Sequence, residues 1–288
     1  MSARDQELQA IGTAPHHQGF LLVEWDLPWP RDPGEVLELA PLRDVLKSTG
    51  TRLQLVVPSR PELPDRRVAL HRCTGEWFSG FERTERRVPP GEVAAAAHAL
   101  LEGDPSSADA ATDVDVLVCT HGSRDRCCGA QGTILALAVL DVPTAQLRRT
   151  SHLGGHRFAP TAVVLPEGTA WAFLDGPVLE DVLTRRCPVG KLARHYRGSL
   201  GVRGAGLQAL EGRAFAEVGW GWLDLERRGS ESDDGTVSLE ARSADGTVSA
   251  WQARAEVGRR VEIAACGDAT KPPSFEDEVV LTDVVRLR

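Results

Sequence analysis

VDVLVCTHGSRDRCCGAQGTILALAVL, residues 114–140, decides the fold. Its opening, Val114–Cys119, is an apolar run of strand length, the pattern of a buried strand. A glycine-rich loop follows, and Thr133–Leu140 then has helical character. Strand, glycine loop and helix in that order form a building block of α/β proteins. Downstream, Ala145–Thr150 reads as a short strand and HLGGH (152–156) as a loop, because of its two glycines. Thr161–Leu165 and Thr169–Leu174 form a hairpin around Pro166, Glu167 and Gly168. Pro177–Arg186 is a helix whose late Arg185 and Arg186 suit the macrodipole. The order across 113–187 is the content of a thioredoxin-like module, a small mixed sheet with helices on its faces.

Upstream, strands are expected at Gly19–Trp25, Thr51–Val57 and Arg67–His71. Glu35–Ser48 has helical spacing through Leu37, Leu39, Leu42, Val45 and Leu46, and Glu92–Leu101 is an alanine-rich helix. Residues 1–18 read as a mobile or loosely docked arm, and Gly103–Ala110 as a linker. No internal repeat stands out, although the two halves of 19–187 share a coarse β-α-β order. After Gly198 a helix at 206–217 precedes GWGWLDL, whose Trp220 and Trp222 read as core packing. Strands are expected at Thr236–Arg242 and Thr247–Ala255, joined by an Asp245-Gly246 hairpin turn, with more at Arg260–Ala265 and Glu278–Leu287. The whole is α/β: an N-terminal α+β region (1–105), the thioredoxin-like module (106–200) and a strand-rich C-terminal extension (201–288).

Composition narrows the function. The net charge of −8 argues against a general nucleic-acid binder. No run approaches the length of a membrane helix, and the N-terminus has no apolar signal core, so the expected compartment is cytoplasmic. The six cysteines are too sparse for a disulfide scaffold. Cys73 and Cys187, taken alone, read as small core hydrophobes.

Cys119 and Cys128, with His152 and His156, form a two-plus-two donor set. Two thiolates and two imidazoles complete a four-coordinate shell for zinc or for an iron–sulfur cluster. The eight residues between the cysteines exceed the usual zinc-finger spacing and suit a larger [2Fe–2S] object. Arg124 and Arg126 add positive charge expected to favour thiolates. Spacing alone prefers Cys128 to Cys127 only slightly, and His121 is a spare imidazole in the same loop. Competing chemistries lack their signatures. No arginine falls at the phosphatase spacing from Cys119, no Cys-x-x-Cys occurs, and the glycines match neither a P-loop nor a dinucleotide fingerprint.

VCTHGSRDRCC and SHLGGHRFAPTAVVLPEG, with LLVEW near the N-terminus and HYRGSLG at 195–201, resemble the sucrase/ferredoxin-like family. The resemblance runs through about residues 12–200. It implies a thioredoxin-like ferredoxin holding a [2Fe–2S] cluster through two Cys and two His. Its motif, Cys, eight residues, Cys, then His-x-Gly-Gly-His, falls on Cys119, Cys128, His152 and His156 and prefers Cys128 to Cys127. ACGDATKP, with Cys266, is similar to a further family element. The expectation is an electron carrier or redox sensor served by donor and acceptor proteins, rather than a self-contained enzyme. Neutral imidazoles should raise its potential above that of all-cysteine clusters and link it to pH. A structural Cys2His2 zinc protein acting as a binding module, or a thiol-dependent oxidoreductase using Cys127 or Cys128, are the alternatives.

Overall fold

The apolar runs at 19–24 and 114–119 become the central strands of two matching halves. A computed structural model describes residues 8–103, 109–110, 114–138, 145–263, 272 and 274–287. Cys266 and most of the expected linker lie outside the described residues. In the first half β1 (Gly19–Glu24) pairs in parallel with β2 (Thr51–Val56) and antiparallel with β3 (Arg66–Arg72). β3 pairs antiparallel with β4 (Glu82–Val88). In the second half β6 (Val114–Cys119) pairs in parallel with β7 (Ala145–Thr150) and antiparallel with β8 (Ala162–Leu165), which pairs antiparallel with β9 (Thr169–Trp171). Helices α1 (Arg43–Ser48) and α2 (Val93–Glu102) sit in the first half where α3 (Thr133–Ala138) and α4 (Gly176–Thr184) sit in the second. Each half is therefore β-α-β-β-β-α with the same strand order, the arrangement of a thioredoxin-type module.

β2 and β7 join the halves antiparallel at Val56 and Thr150, making one ten-stranded sheet edged by β5 (Asp109–Ala110) and β10 (Tyr196–Ser199). The sheet is strongly curled. β3 and β6 are four strand spacings apart in sheet order, about 19 Å if flat. Yet His71 Nε2 of β3 lies 3.3 Å from Asp115 Oδ2 of β6. The inner faces of the two half-sheets thus meet, and Phe20, Leu22 and Ala69 pack with Leu117, Cys119 and Val163. The outer face of the first half, through Leu21, Val23 and Leu70, carries α2 and the segment around Leu39 and Leu42. The outer face of the second carries Trp171, Leu179 of α4, and Leu210 and Phe215 of α5 (Ala205–Val218).

At the start of β6 the seam is ionic. Buried Asp115 faces Arg148 Nε (3.2 Å), Arg83 Nη1 (3.4 Å), Arg67 Nη2 (3.7 Å) and His71. Glu24 accepts from Ser59 and from the Arg67 N–H. This explains why β4, ERTERRV, escaped a hydrophobic-pattern reading: its inward residues Arg83 and Glu85 serve the ionic seam and are not apolar.

Three further expectations change. The helix expected at Glu35–Ser48 is short 3-10 turns at Pro33–Glu35 and Leu37–Leu42, then α1, because Pro41 has no N–H for an α-helical ladder. Within the N-terminal arm, the described residues 8–18 are docked: Leu8 and Ala10 are buried with Phe158, Phe173 and Val261. The C-terminal extension forms its own antiparallel sheet, β11 (Glu226–Glu231), β12 (Thr236–Arg242), β13 (Val248–Ile263) and β14 (Ser274–Arg286), and β13 runs past the expected end of its strand. That sheet packs on α5, and Trp222 is buried in the shared core as expected. No helix among the described residues is long and apolar enough to cross a membrane.

Candidate metal centre

Cys119 is the last residue of β6, and its N–H donates to Thr161 O (3.1 Å). The chain then loops through Thr120–Asp125 and enters a helix at Arg126. Its next turn, Cys128–Gly132, is widened to a π turn before α3 begins. Such turns recur at functional sites. Glycine is required where this helix returns against the strand: a Cβ on Gly132 would lie 1.9 Å from Cys119 O. Likewise a Cβ on Gly129 would lie 2.5 Å from Gly122 Cα. The second arm leaves β7 at Thr150. In the HLGGH loop, Gly154 and Gly155 take positive φ (87° and 70°) and turn the chain into the 3-10 segment His156–Phe158.

These two arms bring Cys119 Sγ, Cys128 Sγ and a ring nitrogen of His152 within 4.8 Å of one another. Both cysteines are 1 % exposed. The His152 and His156 side chains are 13 % and 21 % exposed, so the imidazoles form the outer edge of the site. His156 is not within that compact trio. Its Nδ1 lies 3.8 Å from Cys127 Sγ and 4.0 Å from Asp125 Oδ1, and Cys127 Sγ donates to His156 O (3.3 Å). Asp125 Oδ2 lies 3.0 Å from His152 Nδ1, which leaves Nε2 of that ring for a ligand.

The electrostatics single out one thiolate. The bond from Cys128 holds the Cys119 thiol well below its usual range against the cost of burial, helped by His152 and the N–H groups of His121 and Leu153. Cys128 is pushed up, chiefly by Cys119 and then by Cys127. The two thiols are thus split in acidity, Cys119 toward the thiolate and Cys128 toward the thiol. Burial draws His152 down, but Asp125 and then the Cys119 thiolate outweigh it and its pKa rises. Asp125 moves down, since His152 outweighs its burial.

The chain belongs to the sucrase/ferredoxin-like family. The family profile matches residues 10–198, well over half of the chain. No curated protein and no solved structure matches it. The matched span takes in both halves, so the family unit includes the half without the cysteine pair.

Residues outside the cysteine and histidine arms supply what sequence reasoning missed, one of them from the first half. Arg52 of β2 donates through Nη2 to His152 O (2.5 Å). Arg197 of β10, buried, donates through Nη1 to Gly154 O (3.2 Å) and through Nε to Thr13 Oγ1 (3.1 Å). The two guanidinium groups bond carbonyls two residues apart in the HLGGH loop. Burial lowers both: Arg197 to about 9, with the thiols pulling it back up, and Arg52 in the same direction. His121, the spare imidazole, is a strut. Its Nε2 bonds Pro30 O (2.9 Å), and its Nδ1 accepts from the His152 N–H (3.1 Å). Arg124 instead donates to Arg31 O (3.2 Å), and the largest support for the Cys119 thiolate comes from hydrogen bonds and not from the arginine charge expected of this loop. The one available sequence signal was position: Arg197 lies in HYRGSLG.

Proposed function

We propose that the chain binds a [2Fe–2S] cluster through Cys119, Cys128, His152 and His156 and carries single electrons. The observation that carries this reading is the buried trio Cys119, Cys128 and His152 in a chain of a ferredoxin-like family. The donor chemistry fits a cationic metal centre: two buried sulfurs and an imidazole nitrogen converge within 4.8 Å, and a metal's charge would replace the thiol protons. The cluster, when bound, supplies a one-electron couple. The chain's residues tune it. Neutral imidazoles add no negative charge, and Arg52 and Arg197 place positive charge behind the loop, so the potential should sit above that of four-cysteine clusters. Asp125 orients His152. The more exposed His edge is where donor and acceptor proteins would approach. Cytoplasmic function, without nucleic acid or membrane, accords with the acidic charge and with five cysteines that form no disulfide among the described residues.

The test is anaerobic purification with visible absorption, iron and sulfide analysis. A coloured protein with equal iron and labile sulfide supports the reading; a colourless protein that cannot be reconstituted with both overturns it. One observation favours a second reading. The trio is compact enough for one zinc ion, with His156 or Cys127 as a fourth donor. Stoichiometric zinc, and no sulfide after anaerobic reconstitution, would establish that structural role.

A further inference from the structure

The donor set holds one sulfur more than four-coordinate ligation needs. Cys128 Sγ lies within 4.8 Å of Cys119 Sγ, and Cys127 is its neighbour in the chain. Cys127 Sγ in turn lies 3.8 Å from His156 Nδ1, and it bonds the carbonyl of that residue. Cys127 therefore adjoins the trio in sequence and touches the histidine assigned as the fourth ligand in space. Both residues are partly exposed at the same edge of the site. Cys127 lies on the first helical turn and His156 just after the glycine pair, and their side chains meet across 29 residues of sequence.

We propose that Cys127 is a fifth protein ligand of the centre, held against His156 and able to replace it. The inference rests on the iron–sulfur reading above. The exchange is redox-neutral. The iron–nitrogen bond to His156 breaks, an iron–sulfur bond to Cys127 forms, and the thiol proton passes to the released imidazole. The carboxylate of Asp125, 4.0 Å from that Nδ1, faces the ring that receives it. Each exchange adds one negative charge to the ligand shell, so the thiolate-ligated form has the lower potential. The site would then exist in two ligation states of different potential, set by which of two touching side chains is bound.

The experiment compares wild type, C127S, H156A, H156C and the H156A/C127S pair, purified and reconstituted without oxygen. Iron, sulfide, the electron paramagnetic resonance spectrum and the midpoint potential are measured on each. C127S should keep its cluster through His156 but lose the lower-potential, thiolate-ligated form. H156A should keep wild-type iron and sulfide, with its spectrum and potential moved toward those of H156C. H156A/C127S should lose most of its cluster. The proposal is overturned if H156A loses its cluster while H156C keeps it, because that position then tolerates change but Cys127 does not reach. It is also overturned if H156A and H156A/C127S retain the cluster equally. A wild-type protein that takes up neither iron nor sulfide overturns the underlying reading instead.

Discussion

Asp125→Asn tests the site through a residue that is not a ligand. The substitution keeps size and removes the charge 3.0 Å from His152 Nδ1. At an effective dielectric of about 20, two unit charges at that distance interact by about 5 kcal/mol, which is a ceiling. Carboxylates that hold a metal-bound imidazole are worth about 10–100-fold in metal affinity, or about 1–3 kcal/mol. Asp125 is 8 % exposed, so little water is available to take over its role, and the upper part of that range is expected. The assay is zinc competition against a chromophoric chelator, which reads the donor set whether or not it also takes iron. In the metal-free protein a pH signature accompanies the loss. Asp125 has a lowered pKa, so its stabilisation is present above 3.8 and lost as pH falls through its lower folded value. His152 has a raised pKa, so its stabilisation is present below 6.5 and lost as pH rises through its higher folded value. The pair therefore stabilises the fold most between 3.8 and 6.5, and Asp125→Asn should flatten that maximum in urea midpoints. Zinc affinity within twofold of wild type, together with an unchanged pH profile, would refute the role given to Asp125.

Gly132→Ala should abolish metal uptake at little change in helix propensity elsewhere, because its Cβ would fall 1.9 Å from Cys119 O and drive helix and strand apart; metal titration of the variant checks it. Asp115→Asn removes the carboxylate shared by Arg67, Arg83 and Arg148 and should cost about 3–5 kcal/mol, read by urea unfolding, with Arg148→Met in the same chain recovering part of the loss. His17 is held neutral down to about pH 4 by burial and by Arg52. Its unfolded form takes a proton near 6.5, so this residue makes stability fall as pH drops from 6.5 toward 4; that increment should disappear in His17→Gln, in a comparison of urea midpoints.

Much of the second half was visible in its residues. The runs VDVLVC and TAVVL are apolar enough to declare buried strands, and the glycine pair in HLGGH declared a loop. The donor types were visible too, and three of the four candidates meet. What stayed hidden depended on contacts between distant segments. β4 is charged because its partners across the seam are charged, a fact no local pattern carries. Arg52 lies one hundred residues before the carbonyl it binds. Asp125 reads as an ordinary loop aspartate until the loop folds it onto His152. The coarse β-α-β order common to the two halves was legible, but that their strand order is identical shows only in the pairing, because both line their inner faces partly with ions that no apolar pattern marks.

That duplication explains why a single centre needs both halves. By strand pairing, Glu24 at the end of β1 occupies the place that Cys119 holds at the end of β6, since the two face Val56 and Thr150 respectively. A carboxylate there is already neutralised: Glu24 receives Ser59, the Arg67 N–H and Arg148. No donor set comparable to His152 and His156 follows β2, whose loop begins Val57-Pro58-Ser59. The first half has instead turned its surface toward the second. Pro30 and the edge-on ring of Trp29, 5.7 Å from the His121 ring, fix the strut that holds His152, while Arg52 clamps the same residue from β2. The second half provides the candidate ligands and the first half part of their orientation, and the antiparallel contact of β2 with β7 is what places Arg52 within reach. On the metal-binding reading, affinity would therefore depend on the seam between the modules as much as on the cysteine loop.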